Sequence, residues 1–154
     1  MIDQLVKIHP TAYVPDNTNV WAFATIHAGV RLGMYVSVGE HVYIGEDTEI
    51  GHRTRIGQGA HITDHMRIGE NVFIGPHVVF ANDKHPRVNN PNFKREPPIV
   101  EDDVSIGTCA IILPGVRLRR GCIIGAGAIV TKDVSEYATA YGVPAKEVTR
   151  AIRN

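Results

Sequence analysis

Aliphatic residues return at every sixth position along nearly the whole chain. From Ile8 the position recurs at Val14, Val20, Ile26, Leu32, Val38, Ile44, Ile50, Ile56, Ile62, Ile68 and Ile74 and reaches Phe80 without a slip. Four residues after each stands a small or β-branched residue, from Ala12, Thr18 and Ala24 to Val72 and Val78, with Met66 the larger exception. Neither the 3.6-residue period of a helix nor the two-residue alternation of a strand produces a six-residue rhythm. Short strands separated by tight turns and wound as a solenoid do produce it, with three hexads closing one triangular coil. The rhythm resumes at Val100 and runs through Ile106, Ile112, Leu118, Ile124 and Val130. The pattern predicts about six coils, which at the spacing of neighbouring strands make a prism roughly 30 Å long. Glycine follows the aliphatic residue repeatedly, as at Gly33, Gly57, Gly75, Gly107 and Gly125. A bend with φ > 0 is the expected reason, since glycine adopts it at little cost.

The rhythm breaks over residues 81–99, and the break reads as a loop projecting from one corner of a single domain spanning residues 1–154. It is rich in Asn, Pro and charge, and holds the sequence Asn82-Asp83-Lys84-His85-Pro86-Arg87. Long loops in otherwise regular domains usually carry function.

Composition narrows the function without naming it. Sixteen basic and sixteen acidic residues cancel, so overall charge points to neither nucleic acid nor an anionic membrane. From Arg117 onward, however, seven Lys or Arg face three Asp or Glu, which would draw an anionic ligand to that end. The N-terminus has no basic segment followed by an apolar run and no stretch is long enough to span a membrane, so a cytoplasmic protein is expected. Cys109 and Cys122 are too few for a disulfide framework and lack zinc-site spacing. Cys122 falls on an inward position.

The repeat resembles the left-handed parallel β-helix of hexapeptide-repeat acyltransferases over nearly the whole chain, and the handedness comes from that resemblance. The NDKHPR stretch is similar to two branches of the superfamily. Its Asn-Asp pair matches bacterial acetyltransferases acting on nucleotide-linked amino sugars, whereas His85 aligns with the His-Pro base of the galactoside and maltose acetyltransferase branch. The resemblance therefore implies Asn82, Asp83 and His85 as catalytic residues and Arg87 as a substrate contact. Either His85 or Asp83 could take a proton from the acceptor near neutral pH, and Asn82 can position a sugar amine or hydroxyl. The segment IVEDDVSIGTCAIILPGV matches the part of the family whose backbone faces the thioester, with the Thr108 amide nearest its carbonyl.

The terminal run IGAGAIVTKDVSEYATAYGVPAKEVTRAI resembles the coenzyme A end of these enzymes. It implies Ala126, Thr131, Lys132, Ala145, Lys146 and Arg150 as cofactor contacts, with acetyl-CoA as co-substrate and no metal. Pro144 is a suitable first residue for a short capping helix over residues 144–153. The same resemblance implies a homotrimer with active sites between chains, and an acceptor consisting of a nucleotide-linked amino sugar, with the 3-amino position favoured, destined for surface polysaccharide such as O-antigen. A sugar O-acetyltransferase using His85 as general base is the alternative. Two further classes share the architecture: non-catalytic scaffolds, and γ-type carbonic anhydrases. The latter hold a metal with three histidines; His41 and His77 lie two coils apart here, but Asn82 stands where the third histidine would be.

Overall fold

A computed structural model describes residues 1–148. Apart from the last two, which have four residues each, the strands are two-residue segments, one in nearly every hexad, stacked into three sheets. A seven-stranded face runs from Lys7–Ile8 through Thr25–Ile26, Tyr43–Ile44, His61–Ile62, Val79–Phe80 and Ile111–Ile112 to Ile129–Val130. A five-stranded face holds Arg31–Leu32, Glu49–Ile50, Arg67–Ile68, Ile99–Val100 and Arg117–Leu118. An eight-stranded face begins at Asn19–Val20 and continues through Ser37–Val38, Arg55–Ile56, Phe73–Ile74, Ser105–Ile106 and Ile123–Ile124. It closes with Thr139–Gly142 and Ala145–Val148.

Pairing is parallel between residues eighteen apart, as in Ile8↔Ile26 and Ile26↔Ile44, which is the length of one three-hexad coil. Pairs that span the projecting loop lie further apart in sequence, as Arg67↔Ile99, Phe73↔Ser105 and Val79↔Ile111 do, and the last coil is shorter, with Ile123↔Thr139, while the register between these points stays intact. The loop itself occupies 81–98, because Ile99 already belongs to a strand. Seven strands on one face make about seven turns rather than six. The added turn comes from the ends, where Ile2 pairs with Val20 and Thr139–Gly142 continues the eight-stranded face.

Both inward columns are buried, the aliphatic one from Val20 to Val130 and its small companions from Ala24 to Val134. Each fully buried aliphatic side chain contributes about 1.5–3 kcal/mol, so the stacked columns are the main source of stability. Threonines in the small column are tolerated where their hydroxyls find a carbonyl: Thr48 Oγ1 donates to Thr63 O and Thr54 Oγ1 to Gly69 O. Thr18 Oγ1 is buried without a partner among the described residues.

The glycines after the aliphatic residues are not in left-handed backbone. They are glycines because the next coil lies against them: a Cβ on Gly33 would sit 2.6 Å from His52 N, and one on Gly75 2.7 Å from Thr108 N. The left-handed position comes two residues later in the hexad, where φ is 61° at Phe23, 56° at His41, 66° at Gly59 and 56° at His77. Non-glycine residues there cost about 1–2 kcal/mol each. The turn offsets this by directing the amide of that residue at the preceding coil, as in Arg53 N to Met34 O and His77 N to Gln58 O, both 2.9 Å.

The expected C-terminal helix is a strand as far as it can be followed. Ala145–Val148 pairs antiparallel with Thr139–Gly142 across a turn at Val143 and Pro144, and residues 149–153 lie outside the described part. Pro144 suits a helix start, but Ala145 and Val148 are half-buried while Lys146 and Glu147 are exposed, and the free edge of the last coil offers a complete set of backbone partners. Tertiary pairing outweighs the local signal.

Candidate active site

The projecting loop leaves the corner that follows the seven-stranded face. Phe80, at its root, is fully buried, and Ala81 still donates to Ile112 O. Beyond that point the loop closes on itself. Glu96 N donates to Asn82 O and Gly115 N to Glu96 O, both 2.8 Å. The Glu96 carboxylate pairs with Lys84 and lies 3.5 Å from Lys94, while Arg95 reaches down to Asp64 at 3.6 Å. The hydrogen bond from Lys84, with the charges of both lysines, holds the Glu96 carboxyl below its ordinary range.

Asp83 Oδ1 accepts the amide of His85 at 2.8 Å, so one carboxylate oxygen forms the turn that presents the imidazole. Asn82 and Asp83 are half-buried at the loop base, whereas His85 and Arg87 are exposed. A cavity of about 170 Å³ opens between Asp83, His85, Asn90 and Asn92.

Thr108 stands on a different corner, the one that follows the eight-stranded face. Its amide has no protein acceptor among the described residues, and the reason lies one coil further on. At three equivalent hexad positions on the other two corners the next coil supplies a side chain: Met34 N donates to His52 Nδ1, Glu46 N to Asp64 and Glu70 N to Asp102, whereas on the corner of Thr108 the amides of Glu40 and Gln58 also lack an acceptor among the described residues. Above Thr108 the corresponding residue is Ala126, which carries no acceptor, and Gly127 N takes up only the Thr108 carbonyl, at 2.8 Å. Thr108 is therefore an exposed residue whose N–H is unpaired among the described residues, a donor of the kind that can stabilise an oxyanion.

The sequence bears the description of bacterial hexapeptide transferases over residues 23–82, in two overlapping stretches, and of the hexapeptide repeat of succinyl-transferase over 97–132. Together these cover more than half of the chain. The chain belongs to the hexapeptide-repeat transferases.

Among curated relatives, this transferase is 54% identical over 55 residues to 2,3,4,5-tetrahydropyridine-2,6-dicarboxylate N-acetyltransferase of Staphylococcus aureus strain JH9, across 36% of the chain and 23% of that enzyme. It thus spans about a quarter of the length of such relatives. PerB from Caulobacter crescentus, solved with CoA and GDP-perosamine, superposes with a TM-score of 0.66 at 28% identity, over 94% of this chain and 57% of that one. The N-acyltransferase AntD from Bacillus cereus, solved with dTDP-4-amino-4,6-dideoxyglucose and coenzyme A, has a TM-score of 0.62 at 18% identity, over 96% and 78% of the two chains, and shares the fold.

In this transferase the expected site residues fall into three groups that one chain does not bring together. Asn82, Asp83, His85 and Arg87 lie at one edge of the seven-stranded face, and Thr108 and Ala126 at the other. Thr131, Lys132, Ala145 and Lys146 line one cavity of about 330 Å³ at the C-terminal end, and Arg150 lies outside the described residues. That cavity also contains Asp133 and Glu147, which the sequence reading did not single out. Among the described residues, three cations of the C-terminal segment are engaged already: Arg117 pairs with Glu101, Arg119 with Asp133 and Arg120 with Asp102, at 3.0, 3.7 and 2.7 Å. Lys132 and Lys146 remain the cations of the cavity.

Cys109 is exposed beside Thr108, whereas Cys122 is buried and its thiol is pushed up to about 12 by that burial. His41 and His77 fall in one column two coils apart, with Gly59 between them and the ring of His77 filling the space a Cβ on Gly59 would need.

Proposed function

We propose that this transferase is an acetyl-CoA-dependent N-acetyltransferase whose acceptor is a nucleotide-linked amino sugar, with the amine at the 3-position and the product destined for bacterial surface polysaccharide such as O-antigen. The observation that carries the reading is the amide of the exposed Thr108, unpaired among the described residues and bordered by the small residue Ala126. The neutral amine attacks the thioester carbonyl, the oxyanion forms against the Thr108 N–H, and collapse of the tetrahedral intermediate expels the coenzyme A thiolate. The proton of the amine passes to His85 or through water. Asn82 and Asp83 position the acceptor and Arg87 contacts it. Thr131, Lys132, Ala145, Lys146 and Arg150 hold the cofactor.

The separation of the loop from Thr108 supports a site completed between protomers of a homotrimer, the loop of one chain reaching the Thr108 corner of the next. PerB and AntD, whose ligands are coenzyme A and nucleotide-linked amino sugars, support the choice of substrates. Both substrates place the reaction in the cytoplasm. The second reading, sugar O-acetylation, is favoured by one observation: Asp83 Oδ1 holds the turn that presents the exposed His85 side chain. Acetyl-CoA assayed with UDP- and dTDP-linked 3-amino and 4-amino sugars separates the two. An alkali-stable amide product is expected. An alkali-labile ester, or turnover of sugars lacking an amine, would overturn the N-acetyl reading.

A further inference from the structure

The corner that carries Thr108 continues four coils towards the N-terminus, past Gly75, Gly57 and Gly39 to Trp21. At about 4.8 Å per coil this is roughly 19 Å of groove. Trp21 is the single tryptophan of the chain and occupies a position where the next five coils have glycine. It borders a cavity of about 290 Å³ together with Ser37, Glu40, Arg55 and Gln58.

Three features mark this cavity for an anionic ligand with an aromatic group. Arg55, like Arg31 and Arg87, has no carboxylate within salt-bridge distance among the described residues, although Arg53, Arg67, Arg95, Arg117, Arg119 and Arg120 all do. The amides of Glu40 and Gln58 have no protein acceptor among the described residues, and above Gln58 the next coil places Pro76, which offers no side-chain acceptor. The indole adds a flat, half-buried surface at the far end.

We infer that the Trp21–Arg55 groove binds the nucleoside diphosphate portion of the acceptor, with the base stacked on Trp21 and the diphosphate held by Arg55. This rests on the nucleotide-sugar reading above. Arg55 lies two coils from Trp21 and two from the strand that leads to Thr108. A base on the indole and a diphosphate midway therefore direct the hexose towards the Thr108 amide. Glu40 and Gln58 stand beside the base, where a carboxylate accepts its ring N–H and an amide meets its carbonyl.

Because Trp21 is the only tryptophan, its fluorescence reports directly on the groove. The full-length protein is titrated with UDP, dTDP and GDP, and separately with coenzyme A. Quenching by at least one nucleoside diphosphate, unaffected by saturating coenzyme A, is expected. Calorimetric titration of Trp21→Ala should show that nucleotide bound about 5-fold to 150-fold more weakly, the range for loss of one base–aromatic stack. Arg55→Gln, a change at an exposed side chain, should weaken it at least several-fold and reduce the salt dependence of binding. Nucleotide binding that leaves fluorescence and both variants unchanged would overturn the groove assignment and leave the nucleotide-sugar reading standing. Failure of all three nucleotides to bind, with coenzyme A still binding, would overturn both.

Discussion

Replacing Gly75 with alanine tests the contact that fixes the Thr108 amide. The new Cβ would lie 2.7 Å from Thr108 N and 2.9 Å from Gly107 C and Ile106 O, about 0.7 Å inside the onset of ordinary contact. Every one of these atoms is backbone, so no side chain can swing aside. Relief requires the coil carrying Thr108 to retreat, which lengthens the 2.8 Å bond from Gly75 N to Ile106 O beyond a useful hydrogen bond. Overpacking of this kind costs about 1–3 kcal/mol. The natural control is Gly127, where φ is +69° and none of the described residues lies within 4 Å of an added Cβ. Gly127→Ala should cost only the left-handed strain, about 1 kcal/mol, and Gly127→Asn less, because Asn tolerates that backbone. Urea unfolding midpoints measure both. In acetyl transfer, Gly75→Ala should also lower kcat, since a displacement approaching 1 Å at a positioning group can cost about 10²-fold. A Gly75→Ala protein no less stable than Gly127→Ala, with unchanged turnover, would refute the close-approach account.

Other outcomes follow from the same structure. His85→Asn should leave much of kcat if the acceptor is an amine, while Asn82→Ala and Asp83→Ala cripple it; near-complete loss in His85→Asn with the other two almost unaffected would move the enzyme to the hydroxyl acceptor, and steady-state kinetics on the purified variants decide. Lys132→Ala and Lys146→Ala should raise the KM for acetyl-CoA more than that for the sugar, and equal effects on both substrates would point to a folding role. A thiol reagent added to the folded protein at pH 8 should titrate Cys109 alone, with Cys122 reacting only on unfolding, because burial holds its thiol neutral to about pH 12. The Glu96 latch should weaken on acidification: its carboxyl titrates lower in the folded chain, so the stabilisation is present above the ordinary carboxylate range and is lost as pH falls through the folded value. Proteolysis within residues 81–98 should then accelerate at low pH, and Glu96→Gln should show the faster cleavage already at neutral pH.

The six-residue period determined the solenoid, its two inward columns and the place of the projecting loop, because a side chain that repeats with the coil must meet the same neighbours in every coil. Cys122 was legible as core for that reason, and the loop that holds Asn82, Asp83 and His85 because it interrupts the rhythm. The reason for the glycines was not legible. A residue that needs φ > 0 and one that must clear a neighbouring backbone look alike in a sequence, and only the stacked coils separate Gly127 from Gly75. Nor could the sequence show Ala145–Val148 as a strand, since an open sheet edge competes with the helix signal of Pro144 only once the last coil exists. The vacancy above the Thr108 amide is likewise a property of the stack. It depends on which residue lies eighteen positions later on the same corner, and at Thr108 that residue is an alanine. The single chain also determines that the loop and Thr108 stand on opposite edges of one face, an arrangement that packing between coils imposes and that no local run of residues expresses.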